Sequence, residues 1–325
     1  MGKQALDRKL EALESLRSAP DSASTIEQLR KALKDRNNYF VSKAAALAGE
    51  LGLQTLLPDL LAAFDRFLID AVKSDPRCWA KNAILKALKD LGHDDPAVFL
   101  RGMAHFQLEP AFIRPEDTAV KLRGECALAL ASCPLDRGKI LTPLVDLLLD
   151  PEKPVRIDAV RAVAQLPGWD STLLLRLKAL TGDKAPEVTG QCFVNLLDTS
   201  PRDYVPFVAR FLEAADPDVR IEAIAALGES NELDAVEILR AHWNQSRDPE
   251  MKRAILLSLG ASRQPAAAEF LLEALEEGSL EEAAASITAL AAGRFRKDVR
   301  EKVAAAVAHR DDAKLSAAFE KEFRL

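Results

Sequence analysis

The sequence predicts an all-α chain, a right-handed α-α superhelix of about eight or nine stacked helical hairpins, and three observations predict it. A phrase of Asp, often Asp-Pro, then an aliphatic anchor and an Ala/Leu-rich stretch recurs from Asp117, Asp150, Asp183, Asp216 and Asp248, at intervals of 33, 33, 33 and 32 residues. The anchors Leu122, Val155, Val188, Val219 and Met251 keep nearly the same spacing, 33, 33, 31 and 32. Small or aliphatic residues return four, seven and eight positions after the anchor, as in Val155, Ala159, Ala162, Val163 and Val219, Ala223, Ala226, Leu227. That spacing is one helix face.

Each unit reads as a hairpin. An apolar helix such as Ile140, Leu141, Leu144, Val145, Leu147, Leu148 comes first. The Asp then caps free N–H groups and Pro suits the first turn of the second helix. A lone hairpin cannot bury its stripe, so neighbours must stack, and the 48% apolar content becomes a continuous seam. One solenoid domain over residues 1–325 is therefore expected, in place of the two globules that length alone suggests.

Residues 1–22 form an N-terminal cap, since Leu6, Leu10, Leu13 and Leu16 make one stripe and Pro20 ends it. Residues 23–115 hold divergent repeats. Ser24, Thr25, Ile26 and Glu27 read as a capping box, and Phe40, Ala44, Leu47 and Ala48 as the stripe of a second helix. A long helix from Leu53 to Val72 with Pro58 near its start follows, and Asp75-Pro76 leads into the stripe Trp79, Ala83, Ala87, Leu91. From Trp79 to Leu122 is 43 residues, about ten beyond the later period, so residues 93–118 form an irregular insert. Regular repeats occupy 116–292, and 293–325 cap the other end, with Asp311-Asp312 separating the last two helices.

The phrase Asp216, Pro217, Val219, Arg220, Ala223, Ala226, Leu227, Gly228 resembles the HEAT repeat, in particular the short bacterial form also called the phycobilisome-lyase HEAT-like repeat. The resemblance implies a HEAT-like α-solenoid whose second helices line a concave face. It also implies a ladder between adjacent turns, with Asp150 and Arg156, and Asp216 and Arg220, in structural roles; Thr189 stands in the basic position of one unit and interrupts it. Three and six positions after each anchor, side chains then point towards the groove: Glu125, Asp158, Gln191 and Glu222, then Leu128, Arg161, Val194 and Ala225. This row is mixed and slightly acidic, with apolar patches suited to a peptide or helix.

The insert joins aromatic, basic and hydrogen-bonding residues, and Arg101, His105, Gln107 and Glu109 are its candidate binding residues, because loops on a rigid scaffold concentrate function. The competing expectation packs Phe99, Phe106 and Phe112 as core. A net charge of −6 argues against a constitutive nucleic-acid binder. The first residues lack an apolar run and no stretch suits a membrane helix, so a cytoplasmic location is expected. Cys78, Cys126, Cys133 and Cys192 lack any C-x-x-C pairing, and His93, His105, His242 and His309 are dispersed, so neither metal nor cofactor is expected. Phosphate-loop, nucleophile-elbow and dinucleotide motifs are missing from the sequence.

These features point to a non-catalytic, monomeric scaffold that binds a protein or peptide through the groove, the insert, or both. HEAT-like proteins also include DNA glycosylases, which would need a basic groove and an aromatic-carboxylate pair such as Trp79 with Asp75, or Trp243 with Asp248. A chromophore lyase or chaperone, the other alternative, would need an accessible cysteine or carboxylate beside a tetrapyrrole cavity.

Overall fold

The computed structural model describes residues 3–18, 22–293 and 295–324. Among the described residues the fold is all-α apart from one pair of two-residue strands, and the chain divides into two compact units, residues 1–167 and 168–325. Pro20, expected to end the first helix, lies outside the described residues.

Unit 1 begins with α1 (Lys3–Ser15), which continues as a short 3₁₀ turn, and buries Leu13 and Leu16 as its stripe requires. Helix α2 (Ala23–Leu33) starts earlier than expected: Ser22, not Ser24, is the N-cap, and its hydroxyl accepts the Thr25 N–H. Then follow α3 (Asn38–Glu50), α4 (Leu57–Leu68), α5 (Ala71–Ser74), α6 (Trp79–Asp90) and α7 (Pro96–Met103). The long helix expected from Leu53 to Val72 is broken, because Asp70 takes a left-handed φ of 48° between α4 and α5. Strands β1 (Leu108–Glu109) and β2 (Glu116–Asp117) pair antiparallel inside the insert, a hairpin the helical period gave no sign of. Helices α8 (Val120–Leu130), α9 (Arg137–Leu147) and α10 (Lys153–Ala164) complete the unit. Second helices α3, α6, α8 and α10 pack on one another in that order.

Unit 2 contains α11 (Trp169–Thr181), α12 (Pro186–Thr199), α13 (Pro201–Ala209), α14 (Pro217–Glu229), α15 (Leu233–Gln245), α16 (Pro249–Leu259), α17 (Pro265–Glu277), α18 (Leu280–Ala292), α19 (Arg296–Arg310) and α20 (Ala313–Glu322). Here α12, α14, α16, α18 and α20 form the corresponding row. Asp311, at φ 46°, ends α19, and Asp312 caps α20.

The repeat Asp acts as its position predicts. In all five copies a carboxylate oxygen accepts the N–H two residues on: Ala119 (2.9 Å), Glu152 (2.8 Å), Ala185 (2.9 Å), Asp218 (2.9 Å) and Glu250 (2.9 Å). The stripes Leu122, Cys126, Leu130 and Val155, Ala159, Ala162, Val163 are buried. Arg220 departs from the expected pairing: it donates to the carbonyl of Ala214 at 2.8 Å, in the connection before α14, and not to the Asp216 carboxylate. Arg156 donates to the carbonyls of Asp150 (2.8 Å) and Pro151 (3.0 Å). Thr189 Oγ1 is buried without a hydrogen-bond partner among the described residues.

Close stacking of second helices depends on glycine at the crossing. A Cβ built at Gly228 would lie 2.6 Å from the carbonyl oxygen of Ser258 on the next second helix. Because the obstacle is main chain, α14 and α16 must separate to admit it. Gly228→Ala is expected to cost about 1–3 kcal/mol, read as a lowered urea midpoint with unchanged slope. A variant as stable as the wild type would show that this crossing is loose.

Candidate functional site

The turn before α6 has an unusual backbone. Arg77 (φ 62°) and Cys78 (φ 54°) are consecutive non-glycine residues in the left-handed region, each costing about 1–2 kcal/mol. Asp75 holds this turn. Its Oδ1 accepts N–H groups from Ala80 (2.9 Å) and from the Asn38 side chain (2.9 Å). Its Oδ2 accepts the Lys81 N–H at 3.0 Å and pairs with Lys81 Nζ at 2.9 Å. Both side chains of the pair are completely buried.

The turn changes the start of the α6 stripe. Of the expected Trp79, Ala83, Ala87 and Leu91, the last two are buried, whereas Trp79 is 47% exposed and the buried face begins at Ala80 and Ile84. Trp79 lies edge-on to Tyr39 of α3, with ring centroids 5.5 Å apart.

The insert is tied to this turn by Gln107 and Glu109. Gln107 Nε2 donates to the Asp75 carbonyl (2.8 Å) and to Glu109 Oε1 (2.7 Å), which fixes the amide orientation. Its Oε1 then faces His105 Nε2 at 3.2 Å and accepts the Cys78 thiol at 3.2 Å, so His105 is the donor in that contact. Burial holds the His105 imidazole below its ordinary value. Glu109 Oε1 also accepts the Arg77 N–H (2.6 Å) and the Thr118 hydroxyl (2.6 Å).

Burial alone would raise the Glu109 carboxyl, but donation from Thr118, the Arg77 N–H and Gln107 outweighs it and holds the group below its ordinary 4.5. Stabilisation from a lowered carboxyl is complete above the ordinary value and is lost as pH falls through the folded one. Hydrogen-exchange protection of residues 105–118, taken relative to the intrinsic exchange rate at each pH, is thus expected to fall as pH drops below about 4.5. Glu109→Gln should remove that step, and an unchanged acid profile in this variant would refute the assignment.

Beneath the insert lies a second buried ionic group. Arg123 is completely buried on α8. Its Nε and Nη2 donate to the two oxygens of Asp150 at 2.9 and 3.1 Å, and its Nη1 donates to Asp117 at 2.6 Å and to the His105 carbonyl at 3.1 Å. Phe106, 53% exposed, covers the guanidinium at 4.0 Å from ring centroid to Cζ.

Two open concavities adjoin on unit 1. One, about 910 Å³, is lined by Tyr39, Lys43, Trp79, Lys86 and Lys89 among others; the second, about 1000 Å³, lies under the insert tip. Arg77, Thr118 and Lys121 line both. The tip residues Phe112 and Ile113 are fully open to solvent, so of the three phenylalanines expected as core only Phe99 is buried.

His105, Gln107 and Glu109 therefore meet in one cluster that ties the insert to the α6 turn. Arg101 sits apart on α7 and pairs with Asp65 at 2.9 Å. Glu125 pairs with Lys89 at 2.6 Å, and Asp158 with Arg161 at 3.4 Å; burial raises the Asp158 carboxyl. Gln191 and Val194 on α12, and Glu222 on α14, belong to unit 2 and are partly exposed. Counting three on from the earlier stripe positions Phe40 and Trp79 would have reached Lys43 and Asn82, which line the smaller concavity. The slightly acidic row started from Leu122 omitted these.

Asp75, considered as a partner for Trp79, is buried and occupied by its donors, and Asp248 is spent on capping α16. The four cysteines are free and buried. Burial pushes the thiols of Cys78 and Cys133 up to about 11 and that of Cys192 to about 12, and raises Cys126 too, which suppresses thiolate chemistry. No helix among the described residues is long and apolar enough to cross a membrane.

Residues 204–291 match the family of HEAT repeats. No curated protein matches the chain. Among solved structures, human deoxyhypusine hydroxylase in complex with glycerol is similar at 20% identity over 80% of this chain and 91% of that one, with a TM-score of 0.30. Kap121p bound to Nup53p is 15% identical over 98% of this chain and 44% of that one, with a TM-score of 0.49, so this chain spans less than half of Kap121p. The complex of CpcE and CpcF of phycocyanin lyase from Nostoc sp. is 17% identical over 82% of this chain and 86% of that one, with a TM-score of 0.33.

Proposed function

We propose that this HEAT-repeat protein is a non-catalytic scaffold that binds a protein or peptide partner through the concave face of unit 1 and the insert beside it. The supporting observation is the pair of adjoining open concavities that share Arg77, Thr118 and Lys121. Exposed aromatic edges stand at one end, and the solvent-facing Phe112 and Ile113 at the other. Open, shallow and mixed in polarity, this face suits an extended segment, which gains binding energy from a few anchors along its length. The Asp75–Lys81 and Arg123 groups hold the α6 turn and the insert in place, so the face is formed before a partner arrives, which lowers the cost of binding.

The test is competition. Affinity capture from the native cell with the wild-type chain, and with a Trp79→Ala/Phe112→Ser variant, should return a partner with the first and lose it with the second. Phe112 is fully exposed and Trp79 is 47% exposed against Tyr39, so the variant is expected to lose about 1–2 kcal/mol and to keep a cooperative urea transition. Equal recovery of the same partner by the two proteins would dispose of this surface.

A further inference from the structure

The two concavities of unit 1 hold cations of two kinds. Lys86 and Lys89 are neutralised, by Asp90 and Glu125 respectively, each at 2.6 Å. Lys43, Arg77, Arg114 and Lys121 are exposed and make no ion pair among the described residues. Lys43 lies over the Tyr39 ring at 5.3 Å, and Tyr39 in turn meets the exposed Trp79. The acids of the smaller concavity are thus satisfied internally, while three of its cations, Lys43, Arg77 and Lys121, are left over beside an aromatic pair. Arg77 owes its position to the left-handed turn, which turns its N–H inward to Glu109 while the side chain stays in solvent.

We propose that the partner segment recognised here is acidic, its carboxylates facing Lys43, Arg77 and Lys121 and an apolar side chain lying against Tyr39 and Trp79. This rests on the scaffold reading and narrows it to one chemistry. Charge complementarity selects the occupant: unpaired cations attract anions, and the aromatic edges supply the apolar contact that a purely ionic ligand would leave unused. A nucleic-acid strand fits less well. Its phosphates recur at every residue, and the adjoining concavity presents Glu116, Glu152 and Asp158 along the way. In a peptide the negative charge can stop where the cations stop.

The experiment titrates the full chain into short fluorescein-labelled peptides in which acidic, neutral or basic residues flank a Leu-Phe pair, and into a labelled single-stranded oligonucleotide, by fluorescence anisotropy. The acidic peptide should bind most tightly and weaken steeply with added salt. Lys43→Glu/Lys121→Glu should raise its Kd by at least about tenfold, Trp79→Ala several-fold, and Lys302→Glu, an exposed reversal in unit 2, should leave it unchanged. Acidic-peptide binding indifferent to the double reversal overturns the proposal, as does tighter binding of the oligonucleotide. If the neutral or basic peptide binds best and loses binding in Trp79→Ala, the acidic partner is refuted while the scaffold reading stands. Failure of every probe also overturns the acidic-segment proposal, and the capture experiment then decides the scaffold reading separately.

Discussion

Replacing Arg123 by Met is expected to lower stability by about 3–5 kcal/mol, because it leaves two buried carboxylates without their counter-charge. Asp150 loses a bidentate partner, Asp117 loses a contact of 2.6 Å, and the His105 carbonyl loses its donor. Methionine fills much of the volume, so the loss is electrostatic more than steric. The check is urea unfolding, with hydrogen exchange following residues 105–118. Stability lost in Arg123→Met should return in part when Asp117→Asn and Asp150→Asn are added, since neutral amides in those places no longer demand a cation. A loss under about 1 kcal/mol would mean that the carboxylates find water or other donors and that the insert is held elsewhere.

The second large effect is expected at Lys81. Its ammonium is the counter-ion of Asp75 at 2.9 Å and donates to the Phe67 carbonyl at 3.2 Å, all within a buried site. Lys81→Met should cost about 3 kcal/mol, the low end for a broken buried pair, because Asp75 keeps donors from Ala80, Lys81 N–H and Asn38. The consequence reaches beyond stability. Arg77 and Cys78 sit in left-handed conformations that persist only while their surroundings impose them. With Asp75 weakened, the turn should relax, carrying Arg77 and Trp79 out of register, and acidic-peptide affinity should fall although Lys81 itself is buried. Full peptide affinity in a destabilised Lys81→Met protein would separate the turn from the binding face.

Legibility in the sequence followed the range of each interaction. The five repeat Asp residues bond two positions ahead, so their role could be read from spacing alone. Burial of Val155, Ala159, Ala162 and Val163 likewise follows from the helical period. Arg123 was passed over because its chief partner, Asp150, is 27 residues away, in the next repeat. The start of the α6 stripe, expected at Trp79 and found at Ala80, escaped for a related reason: Asp-Pro marks a turn, but nothing local marks Arg77 and Cys78 as left-handed. Those two residues are held by Asp75 and by Glu109, 32 positions beyond Arg77. Of the insert residues singled out, His105, Gln107 and Glu109 do come together, yet mainly to bind the insert to the turn, while Arg101 points elsewhere.

The sequence by itself determined the HEAT-like hairpin, its period, its caps and the apolar face each second helix buries, because these depend on contacts within a few residues and on a periodicity that repeats. Tertiary structure alone decided which charges remain free. Glu125 counts as acidic in the sequence and is neutralised by Lys89 of the preceding second helix, whereas Lys43, Arg77 and Lys121 stay unpaired because stacking brings no carboxylate of the described residues within ion-pair reach. The charge of a surface depends on distances between neighbouring hairpins, and those distances exist only once the hairpins have packed.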